Sequence, residues 1–190
     1  MNGFGDDGMV HDDTKRSVGL LLVADVPHWN PRRTAVLQRR GEFNQEKDWL
    51  PESWPGICQL TVHGRLKEGE EPLDGLMREM EEELGKDFAA GLKALNSEHN
   101  PMILLNSTDS VEGSISNYGI KIHQNLLNMI RLHPSSGGLY LLNQDPLDSI
   151  KVLDPQQLDK KVGVINRNLI VMWPEEREAV RLALGYHFHD

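Results

Sequence analysis

Residues 64–86 read GRLKEGEEPLDGLMREMEEELGK and contain eight acidic side chains. Pro72 suits the first turn of a helix, where its missing N–H would be unpaired in any case, and Gly85 suits the position just past the end. Apolar residues recur between them at three- and four-residue spacing: Leu73, Leu76, Met77, Met80 and Leu84. At about 100° per residue these side chains fall within about 100° of arc. We therefore predict an amphipathic helix with this stripe buried.

Three carboxylates of the same segment share a second face of the predicted helix. Glu79, Glu82 and Glu83 fall on an arc about 100° wide, centred about 120° from the apolar stripe. Like charges on adjacent turns repel one another by roughly 0.2–0.5 kcal/mol per pair. A divalent cation turns that repulsion into binding, because Mg²⁺ takes carboxylate oxygens and keeps several waters. A solvated acidic face is the alternative, and the helix alone favours it, since most charge runs have no ligand.

The order of residues in this segment resembles the Nudix box. That pattern is Gly, five residues, Glu, seven residues, Arg-Glu, an aliphatic residue, any residue, Glu-Glu, any residue, Gly and a final aliphatic residue. The matching positions are Gly64, Glu70, Arg78, Glu79, Met80, Glu82, Glu83 and Gly85. Seven of these are single-residue requirements, so a chance match is on the order of 10⁻⁸ per starting point. The resemblance therefore outweighs the solvated-face alternative.

Two positions depart from the family pattern. Lys86 stands where an aliphatic residue is usual, and we expect little effect because a cation is favourable beyond the end of a helix. His63 precedes the box glycine, where many members have a smaller residue. We expect His63 to alter the loop whose backbone carbonyl commonly helps to hold metal in this family.

The resemblance implies a metal-dependent hydrolase that cleaves the diphosphate linkage of a nucleoside diphosphate joined to another group, X. It implies Mg²⁺ or Mn²⁺ as cofactor, with Glu79, Glu82 and Glu83 as metal ligands. It also implies that Glu79 is the general base or a ligand, that Arg78 orients it, and that Glu70 pairs with an arginine. Several members take their base from a later loop instead. The acidic residues available for that role are Glu98, Asp109, Glu112 and Asp145, which the sequence does not rank.

Two other functions are considered beside the hydrolase. An isopentenyl-diphosphate-isomerase-like enzyme has a related fold but needs a cysteine just ahead of the box glycine, whereas Cys58 lies six residues before Gly64. A catalytically silent Nudix-fold module that binds nucleotides is the second alternative. Such modules tend to lose box carboxylates, and this chain has all of them. The sequence therefore favours the hydrolase.

Two strands are predicted ahead of the box, at residues 17–24 and 34–38. The second ends in Arg39 and Arg40, which are candidates for bidentate contacts with substrate phosphate, or are solvated arginines at a strand end. The loop at residues 41–56 carries Trp49 and Trp54, which either stack on a base or cover the core. Strands before and after a central helix predict an α/β layered domain with a mixed sheet. The resemblance implies a Nudix-like α/β/α sandwich.

The rest of the chain shows weaker patterns. We predict further strands at residues 57–62, 102–105, 115–122, 139–142 and 150–153. Residues 87–100 are expected to be a mixed connection, and residues 124–132 a strand or a short helix. Helices are expected at residues 154–161 and 174–185. The expected organisation is a flexible acidic tail at 1–14, a single domain at 15–186 that includes the C-terminal helix, and a tail at 187–190.

Composition limits the partners and the location. The 190 residues carry a net charge of −9, which argues against a nucleic-acid surface, and no apolar run approaches the length of a membrane span. The expected partner is therefore a small nucleoside diphosphate derivative. The lone cysteine, Cys58, suits a reducing compartment, and the N-terminus shows no basic-then-apolar signal, so we expect a cytoplasmic protein. Dimers are common among relatives, and the sequence leaves a homodimer open.

Overall fold

The computed structural model describes residues 15–26, 33–44, 48–96, 101–110, 113–143, 150–152 and 170–185. Its strands are β1 (Lys15–Asp25), β2 (Arg33–Arg40), β3 (Phe43–Asn44), β4 (Leu50–Pro51), β5 (Cys58–Gln59), β6 (Val62–Arg65), β7 (Ile103–Ser110), β8 (Gly113–Ile122), β9 (Ser136–Asn143), β10 (Ile150–Val152) and β11 (Ile170–Met172). Its helices are α1 (Pro72–Leu84), α2 (Lys86–Leu95), α3 (Gln124–Leu127) and α4 (Pro174–Gly185). The helix expected at 154–161 and both expected tails lie outside the described residues.

β1 is the centre of the main sheet. Among the described residues seven strands join this sheet, in the order β5-β2-β1-β8-β7, with β6 also paired to β1 and β9 to β2. One edge of β1 pairs in parallel with β8, and the other edge pairs antiparallel first with β6 and then with β2. Thr61 lies where this edge changes its neighbour: its hydroxyl accepts from Leu22 N–H at 2.9 Å and donates to the Val36 carbonyl. The sheet is therefore mixed, as predicted.

Helices cover both faces of this sheet. Leu21 and Val23 of β1 belong to a core cluster that includes Ala179, Val180 and Ala183 of α4. The alternate residues of β1 belong to a second cluster with the buried sides of α1 and α2: Val18, Leu20, Leu22 and Ala24. Because successive side chains of a strand point to opposite faces, β1 is buried on both sides, which explains its nearly continuous apolar sequence. The predicted α/β/α sandwich is confirmed.

The helix predicted between Pro72 and Gly85 is confirmed as α1, but one residue of its apolar stripe and the segment that follows it differ from the prediction. Leu76, Met80 and Leu84 are buried as predicted, but Leu73 is 49% exposed, because its side chain lies outside the contact between α1 and the sheet. The mixed connection predicted at residues 87–100 is wrong over its first part, where α2 begins at Lys86. Gly85, at φ +95°, separates the two helices. In α2 the apolar side formed by Phe88, Ala89 and Leu92 is buried.

Most of the other described helices and strands are of the predicted type, but their bounds differ from the prediction. The strand predicted at residues 57–62 is divided into β5 and β6, because Thr61 bridges two other strands at that point. Residues 41–56 contain the short antiparallel pair β3 and β4 within the predicted loop. Residues 124–127 form the short helix α3, and β11 was not predicted. In the described part of the chain no helix is long and apolar enough to cross a membrane.

Candidate functional site

A cleft of about 1090 Å³ lies where α1, β2, β6 and the first turn of α4 meet. The carboxylates predicted as metal ligands, Glu79, Glu82 and Glu83, all line it. Arg39 and Arg40, at the end of β2, line the same cleft. The structure thus brings together five of the six residues predicted for the site, from two segments about 40 positions apart. The sixth, Arg78, does not line the cleft but contacts Glu79 and Glu82.

The C-terminal end of α1 is held by one local backbone hydrogen bond, from Gly85, and by two from a distant segment at residues 131–133. Gly85 N donates to Glu81 O at 3.2 Å, Arg131 N to Leu84 O at 2.8 Å, and His133 N to Glu83 O at 3.0 Å. Such bonds satisfy carbonyls that a helix end otherwise leaves unpaired. The last turn of α1, which carries Glu82 and Glu83, is therefore held to the segment that precedes β9.

Arg78 organises the carboxylates around the start and middle of α1. Its Nε and Nη2 donate to the two oxygens of Glu70, each at 2.9 Å, and Nη2 also donates to Arg65 O at 2.9 Å. The pairing predicted between Glu70 and an arginine is therefore present. Arg78 Nη1 donates to Glu79 Oε1 at 2.7 Å and lies 3.5 Å from Glu82 Oε2. Hydrogen bonds from Arg78 lower the pKa of Glu70 to about 2.

Gly64 provides the space that the Glu79 carboxylate occupies. A Cβ atom at position 64 would overlap the Glu79 side chain. Any residue larger than glycine at this position therefore displaces Glu79 or the backbone of β6. Burial raises the pKa of Glu79, while the hydrogen bond from Arg78 acts in the opposite direction. Glu79 is thus a half-buried carboxylate held between the backbone of β6 and one guanidinium group.

The fit of these carboxylates to a metal ion depends on Arg78. In the residues that the structure describes, no three acidic, histidine or cysteine side chains converge closely enough to hold a metal ion. At α1 the Arg78 Nη1 atom lies 2.7 Å from Glu79 Oε1 and 3.5 Å from Glu82 Oε2. The donor set itself fits a hard cation, since three carboxylates of one helix face border one cleft. A bound cation would compete with Arg78 for two of them.

Gln38 connects Glu83 to the sheet and was not singled out from the sequence. Its side-chain amide lies 3.1 Å from both Glu83 Oε2 and the Thr61 carbonyl oxygen, so the amide nitrogen faces these two acceptors. Its oxygen then accepts from the Ser136 hydroxyl at 3.3 Å. Gln38 is buried and follows the three apolar residues of β2, Ala35, Val36 and Leu37. The only sequence signal that could have pointed to Gln38 is its position as a polar residue at the end of the predicted strand TAVLQ.

The two arginines of β2 have different surroundings. Arg40 Nε donates to Gln59 Oε1 at 2.9 Å, and its Nη1 lies 3.4 Å from Glu52 Oε1. The Arg39 guanidinium lies 5.4 Å from the centre of the Tyr140 ring, a cation–π distance. The pairing of β2 with β9 shifts register between Arg39 and Arg40. Such a bulge re-aims side chains, and here both successive residues border the cleft.

His63 lies in β6, opposite Gly19 of β1, so the position expected to be part of a loop is a strand residue. The backbone here forms strand pairs with β1, which fixes the position of Gly64 beside it. Burial, reinforced by Arg40 and Arg65, lowers the pKa of His63 to about 4. His63 is therefore neutral at pH 7.

The acidic residues proposed as later-loop bases are not at the cleft where the structure describes them. Asp109 is exposed on β7 and does not line it. Glu98, Glu112 and Asp145 lie outside the described residues. Glu175, in the first turn of α4, does line the cleft together with its neighbour Trp173. Nothing in the sequence separated these two from ordinary helix-start residues.

The family of this chain follows from its similarity to known proteins. A sequence profile of the NUDIX domain matches residues 19–115, about half of the chain and the whole of residues 64–86. No curated protein matches the sequence significantly.

Two solved structures resemble the whole fold. A protein of Deinococcus radiodurans is 14% identical, with 95% of this chain and 90% of that one covered and a TM-score of 0.52. A MutT/nudix family protein from Enterococcus faecalis is 13% identical, with 91% of this chain and 61% of that one covered and a TM-score of 0.55. At these identities the likeness shows the fold, and the domain match shows the family. The chain belongs to the Nudix hydrolase family.

Proposed function

We propose that this chain is a metal-dependent pyrophosphohydrolase that cleaves the diphosphate linkage of a nucleoside diphosphate joined to another group, X. The observation that carries the proposal is the shared cleft: three carboxylates of one face of α1 lie in the same cavity as Arg39 and Arg40. A diphosphate is strongly anionic, and this arrangement offers it arginine on one side and carboxylates suited to a cation on another.

The residues of α1 have distinct roles in this proposal. Glu79, Glu82 and Glu83 would hold Mg²⁺ or Mn²⁺. When bound, such an ion polarises a phosphoryl oxygen and lowers the pKa of a coordinated water. Glu79 is the best-placed base or ligand, because Arg78 and the Gly64 backbone fix its carboxylate. Gln38 supports Glu83 through its amide nitrogen.

The proton acceptor has a second candidate in α4. Glu175 is an acidic side chain that lines the cleft from the side of α4, whereas Glu79 reaches it from α1. A base must reach the attacking water within hydrogen-bond distance in the substrate complex. Glu175 is therefore a further candidate for the general base, and unlike Asp109 it lines the cleft.

The proposal extends to partners and location. A net charge of −9 disfavours nucleic acid, so the partner is a small nucleoside diphosphate derivative that meets positive charge locally. Cys58 is the lone cysteine of the sequence and is buried, which suits a reducing compartment such as the cytoplasm.

A substrate panel tests this function. Purified protein with Mg²⁺ or Mn²⁺ is expected to release a nucleoside monophosphate from at least one sugar nucleotide, dinucleoside polyphosphate, oxidised nucleoside triphosphate or nicotinamide dinucleotide, as measured by chromatography. Addition of a chelator in excess of the metal should stop the release, and renewed metal should restore it. Metal binding without turnover of any compound would contradict the hydrolase and favour a nucleotide-binding module.

A further inference from the structure

Two asparagine side chains connect the sheet to the first turn of α4. Asn106 of β7 and Asn117 of β8 are directly paired, and Asn117 Nδ2 donates to Asn106 Oδ1 at 2.9 Å. Asn106 Nδ2 in turn donates to the backbone carbonyl of Glu175 at 2.8 Å. Thr108, two residues further along β7, lines the cleft, as Glu175 does. The asparagine pair therefore lies directly behind the cleft and contacts the turn that carries an acidic side chain into it.

The orientation of both amide groups follows from the Glu175 carbonyl. A carbonyl oxygen only accepts hydrogen bonds, so Asn106 must present its nitrogen to Glu175 and its oxygen to Asn117. Asn117 then has to present its nitrogen to Asn106. Its own Oδ1 is buried, and within the described part of the chain this atom has no hydrogen-bond partner. Because an unpaired buried oxygen is destabilising, stability alone does not explain this pair.

β1 leaves the room that Asn117 occupies. Gly19 is the β1 residue paired with Asn117, and a Cβ atom at position 19 would overlap the Asn117 amide and the Leu60 side chain. A glycine inside a strand weakens it, because it contributes no side chain to the packing. The central strand of the sheet thus lacks a side chain at the point where the buried amide lies.

An irregularity in β7 directs Asn106 toward α4. Ile103 and Leu105 pack against the core cluster that includes Ala179 of α4, so regular alternation would place Asn106 on the opposite face. The pairing of β7 with β8 shifts register between Leu104 and Asn106. Such a bulge re-aims the side chains that follow it. Asn106 therefore faces α4, as Leu105 does.

The first turn of α4 has a second anchor in Glu176. The carboxyl group of Glu176 accepts hydrogen bonds from the backbone N–H groups of Leu60 and Trp173, which attaches the turn to the segment between β5 and β6. Asn106 attaches the same turn to β7. A helix start leaves N–H groups unpaired rather than carbonyls, so the bond from Asn106 is not required to complete the helix. Two anchors on different strands restrict both the position and the rotation of the turn.

We propose that Asn106 is a positioning residue, oriented by Asn117, that holds the first turn of α4 so that the Glu175 carboxylate stays in the cleft. This inference rests on the proposed function, in which Glu175 is a candidate for the general base. Asn106 does not line the cleft itself, so it acts on the reaction only through Glu175. A displacement of about 1 Å in a reacting group is enough to lower a rate by about a hundredfold.

A double-mutant cycle tests this assignment. The double replacement Asn106→Leu with Asn117→Leu keeps the shape of both side chains and removes their polar atoms. It should lower kcat/KM by about tenfold or more, while the urea midpoint stays at or above that of the wild type, because both partners become apolar. In a Glu175→Gln background the same replacement should change kcat/KM by less than about twofold, since the group through which it acts has already been removed.

A neighbouring pair of side chains provides the matched control. The hydroxyl oxygens of Ser107 and Ser116 lie 3.2 Å apart on the same two strands, and neither residue lines the cleft. Ser107→Ala with Ser116→Ala should therefore match the wild type in kcat/KM and in the urea midpoint. A loss in this variant equal to that of the asparagine variant would show a general effect of the β7–β8 hairpin and overturn the assignment.

Amide hydrogen exchange tests the positioning without requiring turnover. The amides of residues 177–180, which pair with the carbonyls of the first turn, should exchange about tenfold faster or more in the double leucine variant than in the wild type. Unchanged exchange would overturn the proposal, as would an equal loss of kcat/KM with and without Glu175, or a lowered urea midpoint that accompanies such an equal loss. If the wild type hydrolyses no compound of the panel, the hydrolase is removed, and the exchange rates alone decide whether Asn106 holds the turn.

Discussion

At the residue scale, Gly64 leaves the room in which the Glu79 carboxylate lies. The position is part of β6, so its backbone is held by pairing with Val18 of β1 and has little freedom to move away. Arg78 holds the same carboxylate from the opposite direction at 2.7 Å. A side chain at position 64 therefore has to displace Glu79, distort β6, or both.

Gly64→Ala is expected to lower kcat by at least about tenfold and to reduce the free energy of unfolding by about 1–3 kcal/mol, the usual effect of overpacking. Steady-state hydrolysis and urea unfolding measure the two effects. Gly185→Ala is the matched control, because a Cβ there meets no atom within 4 Å. Wild-type activity in the Gly64 variant would show that Glu79 does not need its present position.

At the element scale, α4 joins the sheet to the cleft through Glu176. This carboxyl group is buried, and in the described part of the chain its Oε2 has no hydrogen-bond partner. Burial raises the pKa of Glu176 from its ordinary value of 4.5 to about 8, with Arg40 acting in the opposite direction and Glu175 reinforcing the shift. The folded protein therefore keeps a proton at pH 7 that the unfolded chain releases.

The sign of the resulting pH dependence follows from this proton. Between pH 4.5 and about 8 the folded state binds more protons at this site than the unfolded state, so the stabilisation falls as pH rises, by up to about 1.4 kcal/mol per pH unit. Glu176→Gln removes this dependence and can still accept the two backbone hydrogen bonds. The unfolding free energy of the variant, minus that of the wild type, should rise from pH 5 to pH 8. A constant difference would show that Glu176 is ionised in the folded protein.

The elements also show which parts of the fold are readable from sequence. β1 and α1 were predicted, because an apolar run of strand length and a stripe of helical period are local signals. α2 was missed, since its buried side comes from only three residues, Phe88, Ala89 and Leu92. The division of β5 from β6 depends on hydrogen bonds that the Thr61 hydroxyl makes to two other strands. Such contacts between distant segments leave no pattern in a single sequence.

At the scale of the whole molecule, the cleft is assembled from parts far apart in the chain. The box carboxylates were identifiable because one helix carries them at a recognisable spacing. Trp173 and Glu175 lie about 90 residues further on, and only the packing of α4 against the sheet brings them to the same cavity. Gln38 likewise supports a carboxylate of the cleft only because the fold places Glu83 next to its amide group. The sequence therefore predicts the chemistry better than the substrate.

The central claim is that the carboxylates of one face of α1 form a metal site for diphosphate hydrolysis. The most direct measurement is the Mg²⁺ dependence of turnover in Glu82→Gln, Glu83→Gln and Glu81→Gln, with the best compound of the substrate panel. Glu81 is on the same helix but is exposed and does not line the cleft, so its variant should match the wild type.

The variants at Glu82 and Glu83 should each lose at least about tenfold in kcat/KM and need more Mg²⁺ for half-maximal rate, with circular dichroism unchanged. Full activity at the wild-type Mg²⁺ concentration in both variants would contradict the account.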